Sequence, residues 1–138
     1  MRKFILVLLG VIYILSSNMF STAQSQAAHI IVEGVWETNF GKMVLVQRGN
    51  IVEGHYTHDK GKIKGRLEGN IFVGKWMERP SYKPPRDAGD VRLVFTKDGK
   101  SFSGHWRYGF GGNSWNGNWS GKKVNSNDHH RKGPMSFR

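Results

Sequence analysis

Glycine followed two residues later by a large side chain recurs six times in this chain. The copies are Gly34-Val35-Trp36, Gly54-His55-Tyr56, Gly65-Arg66-Leu67, Gly74-Lys75-Trp76, Gly104-His105-Trp106 and Gly117-Asn118-Trp119. Side chains two apart on a strand share a face, so each copy sets a glycine beside a large group. The residue between them is usually polar and faces the other way. A chain built on this period is expected to be all-β, with one apolar face to bury.

Turn residues recur about every ten positions, and no stretch carries helical periodicity over a useful length. The pattern predicts strands near 32–38, 42–48, 51–57, 62–68, 71–78, 91–96, 101–107 and 115–123. Gly49-Asn50 and Gly69-Asn70 are two-residue hairpin loops, and Lys97-Asp98-Gly99-Lys100 is a longer one. Cross-strand pairing tests this reading. A Gly69-Asn70 loop sets Leu67 against Phe72, Gly65 against Gly74 and Ile63 against Trp76. The 97–100 loop sets Phe95 against Phe102, Leu93 against Gly104 and Val91 against Trp106. The Gly49-Asn50 loop sets Leu45 against Gly54 and Met43 against Tyr56. A one-residue slip would turn each apolar set toward solvent, so the three hairpins fix the register together.

Such a sheet must fold over its own apolar face. The expected fold class is an antiparallel up-and-down meander of about eight strands closed into a barrel, which also removes the exposed edges. Inward glycines permit the curvature, and neighbouring aromatic rings cover the gaps. The expected interior includes Trp36, Tyr56, Trp76, Phe95, Phe102, Trp106, Trp115 and Trp119.

The termini read differently. Arg2 and Lys3 precede an apolar run, Phe4 to Leu15, and Ser21-Thr22-Ala23 offers a cleavage site, so residues 1–23 are expected to be a signal peptide. The run is short for a span of about 20 residues, although an uncleaved anchor is the alternative. Residues 24–31 would lead into a barrel domain at 32–124, and 125–138 form a basic tail expected to be disordered. The chain has no cysteine, which excludes disulfides and thiolate metal sites. Its formal net charge is +11, and removing Arg2 and Lys3 brings it to +9. That balance favours an anionic polysaccharide or envelope surface as partner. Export argues against specific nucleic-acid binding.

In a meander, alternate connections share one end. The unusual connections all fall opposite the tight turns: Asn39-Phe40-Gly41, His58-Asp59-Lys60-Gly61, the proline-rich Arg79 to Asp90 and the glycine-rich Tyr108 to Asn113. Prolines stiffen the third toward a lid, against which the fourth could move. Loops above a rigid scaffold are where binding residues concentrate. The candidate contacts are Arg79, Tyr82, Lys83, Arg86, Tyr108 and Phe110: rings to stack on a sugar or flat ligand, cations to meet carboxylate, sulfate or phosphate.

No arrangement meets the needs of catalysis. By the register, His55 and His105 face outward, and His58 has Asp59 as its nearby carboxylate in the sequence. A nucleophile–base pair has no candidate. Glu33 and Glu37 read as a solvated strand face. His129-His130 is too sparse a set to imply a metal site. No cofactor is implied.

Gly34-x-Trp36, Asn39, Gly41, Met43 and Gly54-x-Tyr56 together resemble the opening strands of calycin-type barrels, the avidins in particular. The resemblance implies a barrel whose interior or mouth takes a small ligand, with Asn39 and Tyr56 at positions that bind it. It covers about three strands, and Lys42 stands where an avidin site expects serine, so biotin is not implied. Phe72-Val73-Gly74-Lys75-Trp76 and Phe102-Ser103-Gly104-His105-Trp106 resemble the core of MORN-type repeats, which implies an open repeat-like sheet as the alternative fold. The expected function is therefore an exported, non-enzymatic binding module with its ligand, a small molecule or anionic glycan, at the loop-rich end. The alternative is an envelope structural or inhibitory protein that contacts another protein through the same loops.

Overall fold

A computed structural model describes residues 29–125. The expected signal segment and most of the basic tail lie outside the described residues. Eight strands run in chain order: β1 (Gly34–Thr38), β2 (Gly41–Arg48), β3 (Ile51–Tyr56), β4 (Gly61–Glu68), β5 (Ile71–Met77), β6 (Ala88–Phe95), β7 (Ser101–Trp106) and β8 (Gly117–Lys123). Each pairs antiparallel with the next, and β8 returns to β1, so the sheet is a closed up-and-down barrel. The open-sheet alternative does not hold.

The three hairpin registers are those that the apolar pattern demands. Leu67 faces Phe72, Gly65 faces Gly74, Phe95 faces Phe102, and Met43 faces Tyr56. Gly49 and Gly69 open the two-residue loops at φ 61° and 60°, the positive φ that a primed turn asks of its first residue. Closure rests on three β1–β8 pairs, Trp36–Lys123, Glu37–Lys122 and Thr38–Gly121. Asn39 extends this short seam. Its Nδ2 donates to Asn118 O at 3.0 Å, and its Oδ1 accepts from Ser120 N at 2.9 Å.

The inward residues fill the barrel rather than hollow it. Trp36, Leu67, Phe72, Phe95 and Trp119 are all buried to within 2 %. Trp36 packs on Phe95 and Phe102 at ring separations of 5.3 and 5.4 Å. Rings also cover the glycines, chiefly across strands: a Cβ on Gly65 would stand 2.7 Å from the Phe72 ring and 2.3 Å from Val73 O. The lead-in stops the tight-turn end. Val32 is fully buried, its N–H donates to Gln47 Oε1, and its carbonyl accepts the Trp36 indole N–H at 2.9 Å.

Most boundaries agree with the sequence reading to within one residue, but β1 begins at Gly34 rather than 32, and two other strand starts differ with consequence. β6 begins at Ala88, not 91, because Ala88 and Gly89 are small enough to pair with Met77 and Trp76, although their composition reads as a turn. β8 begins at Gly117, so Trp115 is not inward. It is 40 % exposed and lies against the Arg107 guanidinium, 4.6 Å from its ring centroid. The loop from Arg107 to Asn116 absorbs the residues expected to start the strand.

Candidate functional site

The barrel mouth opposite the Val32 plug encloses a cavity of about 300 Å³. Its aromatic walls come from strand ends and one turn: Trp76 on β5, Trp106 on β7, Trp119 on β8, Phe40 between β1 and β2, and Tyr108 just past β7. These rings meet edge to face. Trp76–Trp106 centroids are 5.7 Å apart, Trp106–Tyr108 5.0 Å and Phe40–Trp119 5.0 Å, the offset that ring quadrupoles favour. The polar wall is supplied by the tight turn His58–Lys60 and the loop 78–87: His58, Asp59, Glu78, Arg79, Arg86 and Asp87.

Both loops are tied down. Tyr82 N donates to Glu78 O, Glu78 N to Asp87 O, and Ser81 N and Oγ to Asp87 Oδ2. Arg79 N donates to Asp59 O and Tyr82 Oη to Lys60 O, which fixes the loop to the 58–60 turn. The glycine-rich loop is anchored to β6. Asp90 Oδ2 accepts from Arg107 Nε (2.9 Å) and Nη2 (2.8 Å) and from Gly111 N (2.8 Å). Gly109 also bonds in both directions with Ala88 and Asp90. The mouth is therefore largely pre-formed.

Tyr56 stands beneath the polar wall. Its hydroxyl donates to Glu78 Oε1 at 2.8 Å, and its ring packs 4.9 Å from Trp119. Burial, and then the bond to Glu78, hold the phenol far above the usual tyrosine range. Burial likewise raises the Glu78 carboxyl, assisted by the charges of Asp59 and Asp87 and opposed by the Tyr56 bond and by His58. The other Glu78 oxygen, Oε2, lies 4.0 Å from His58 Nε2, which is 3.3 Å from Asp59 Oδ2. One indole is left without a partner: Trp119 Nε1 is buried and finds no acceptor, whereas Trp76 Nε1 donates to Arg107 O at 3.0 Å.

Of the residues expected to form the site, Arg79, Arg86 and Tyr108 line the cavity. Tyr56 supports it through Glu78. Tyr82, Lys83 and Phe110 lie outside the lining. Tyr82 is spent on Lys60 O and under the Lys62 ammonium, and Phe110 carries the Lys75 ammonium 3.6 Å from its ring centroid. Lys83 serves its loop through its backbone. Asn39 is used in the β1–β8 seam. The sequence reading missed Glu78 and Asp87 as site residues, left His58 with one carboxylate, and put the three tryptophans wholly in the core. A signal was available for the tryptophans: each stands at a strand end that leads to or from the mouth loops. His58 and Glu78 carry no local pattern.

No family model, curated protein or solved structure matches the chain.

Proposed function

We propose that the protein is an exported, non-enzymatic binding module whose barrel mouth takes one small ring-bearing ligand with anionic or hydroxyl substituents. The observation that carries this reading is the pre-formed cavity, where three tryptophans and a tyrosine face two arginines, a histidine and carboxylates. Its volume is at the low end of the roughly 300–1,000 Å³ of small-molecule sites, and its lining sets five aromatic residues against six charged or polar ones. Ring faces and edges suit the C–H surface of a sugar or a flat heterocycle. Arg79 and Arg86 form no ion pair within 4.0 Å among the described residues, which leaves two guanidiniums at the rim for a carboxylate, sulfate or phosphate. Trp119 Nε1 is a buried donor without an acceptor among the described residues, at a cost of about 1–3 kcal/mol.

The lining contains no serine, threonine or cysteine, and the Tyr56 hydroxyl is committed to Glu78, so a hydroxyl or thiol nucleophile has no candidate there. A concave mouth also suits a small molecule better than the protein contact of the alternative reading. Three of the five tryptophans line the cavity, so intrinsic fluorescence reports occupancy. A uronic acid, a hexose sulfate and a neutral hexose, titrated in turn, should quench it, the anionic sugars most strongly, and Arg86→Ala should remove that preference. Unchanged fluorescence and melting temperature with all three at millimolar concentration would count against the reading.

A further inference from the structure

The polar wall of the mouth has the donors of a metal centre. We propose that His58 Nε2, Asp59 Oδ2 and Glu78 Oε2 bind a divalent transition cation of the zinc type, with open positions facing the cavity. The three donor atoms lie within 4.8 Å of one another. Tetrahedral coordination at about 2.0–2.1 Å separates neighbouring donors by about 3.4 Å. His58 and Asp59 already stand at 3.3 Å, and Glu78, at 4.0 Å from His58, has about half an ångström to close. Consecutive side chains rarely converge on one point. Here Asp59 does so from a left-handed conformation, φ 43° and ψ 34°.

The surroundings also favour a cation. One imidazole with two carboxylates suits zinc and its neighbours better than calcium or magnesium, which take all-oxygen shells. Glu78 is held from behind, because its Oε1 accepts the Tyr56 hydroxyl while Oε2 stays on the His58 side. Such outer hydrogen bonds orient a ligating carboxylate. Two carboxylates share His58 as their ion-pair partner among the described residues, so the cluster carries negative charge that a cation would neutralise. Close to the cluster, the Trp119 ring packs on Phe40, which also meets His58, and on Tyr56, which bonds Glu78. An oxygen-donor ligand on the metal would lie in the cavity that Arg79 and Arg86 also line.

The inference deepens the ligand-binding reading by adding a metal to the same cavity, but its test needs no organic ligand. Co²⁺ added to the full-length, metal-stripped protein should give the visible absorption of a tetrahedral site at one equivalent, displaced by Zn²⁺. His58→Ala and Glu78→Gln should each weaken Zn²⁺ binding at least tenfold in calorimetry. Glu78→Gln keeps the shape of the side chain and an acceptor for Tyr56, so it separates ligand loss from misfolding. A double variant, His129→Ala with His130→Ala, should bind as the wild type does. No saturable Co²⁺ signal, or binding that survives His58→Ala, overturns the site. Metal binding with no response to any sugar would sink the ligand reading alone, and sugar binding without metal would sink the metal site alone.

Discussion

The Tyr56 hydroxyl donates to Glu78 Oε1 across 2.8 Å, joining a ring of the filled interior to the carboxylate at the mouth. Tyr56 ends β3, and Glu78 follows the last residue of β5. The bond therefore spans β4, and the closed sheet sets its length. Tyr56→Phe keeps the ring against Trp119 and removes only this donor. The expected loss is about 1 kcal/mol, the net worth of one intramolecular hydrogen bond, or roughly 5 °C in melting temperature for a domain of this size. Thermal unfolding followed by circular dichroism checks it. An unchanged melting temperature would mean that the bond does not form in solution.

A glycine inside the barrel and one in the mouth loop differ in what they tolerate. A methyl on Gly65 would meet backbone at 2.3 and 2.5 Å, at Val73 O and Gly74 Cα, where nothing can rotate away. Gly65→Ala should cost about 1–3 kcal/mol, as overpacking does, and more if β4 and β5 part. Gly112 has only the Arg107 side chain nearby, at 3.6 Å, so Gly112→Ala should stay within about 0.5 kcal/mol. Denaturant midpoints for the two variants test the contrast. Equal midpoints would show that the barrel interior is looser than its geometry implies.

This contrast marks what the sequence makes legible. The register of each hairpin follows from period-2 alternation, because a slip would expose Leu67, Phe72 and Trp76 at once. The same alternation cannot say where along the barrel axis an inward residue lies. Trp106 and Trp36 occupy equivalent motifs, yet one is partly exposed at the mouth and the other is fully buried. The His58–Glu78 approach joins residues twenty apart through two strands and a loop, and no local spacing encodes it. Trp115 was misplaced for a similar reason. Its motif looks like a strand start, but Arg107 offers it a cationic platform outside the barrel.

Strong acid should weaken the β6–β7 turn. Asp98 accepts from Thr96 Oγ1 at 2.6 Å and Lys100 N at 3.0 Å in the β6–β7 loop. The Thr96 bond, then the Lys100 amide, hold its carboxyl below the ordinary 3.8. A carboxyl depressed in the folded state adds stability above its unfolded value, and that stability is lost as pH falls through the folded value. Asp98→Asn should therefore melt below the wild type at neutral pH, with the gap closing under pH 3.8. Parallel melting curves across pH would refute the assignment.

Asp90 holds the glycine-rich loop and, through it, one wall of the cavity. A single oxygen, Oδ2, takes two guanidinium N–H groups of Arg107 and the amide of Gly111, with both ionic side chains less than one-fifth exposed. Arg107 in turn donates to Gly112 O and offers its own carbonyl to Trp76 Nε1. Asp90→Asn preserves the shape and removes the charge that organises all of this. Hydrogen bonds to charged groups contribute about 1.5–3 kcal/mol, and a loss in that range is expected because the pair is shielded. The loss should be local first. Amide exchange at 109–113 should quicken by one to two orders of magnitude while the β4–β5 hairpin stays protected, since loops open below the global unfolding energy. Tyr108, which packs on Trp76 and Trp106 from this loop, would then leave the cavity wall, and any ligand affinity should fall with it. Unaltered exchange at Gly111 in Asp90→Asn would show that the parallel Gly89–Gly109 bridge, not the ion pair, fixes the wall.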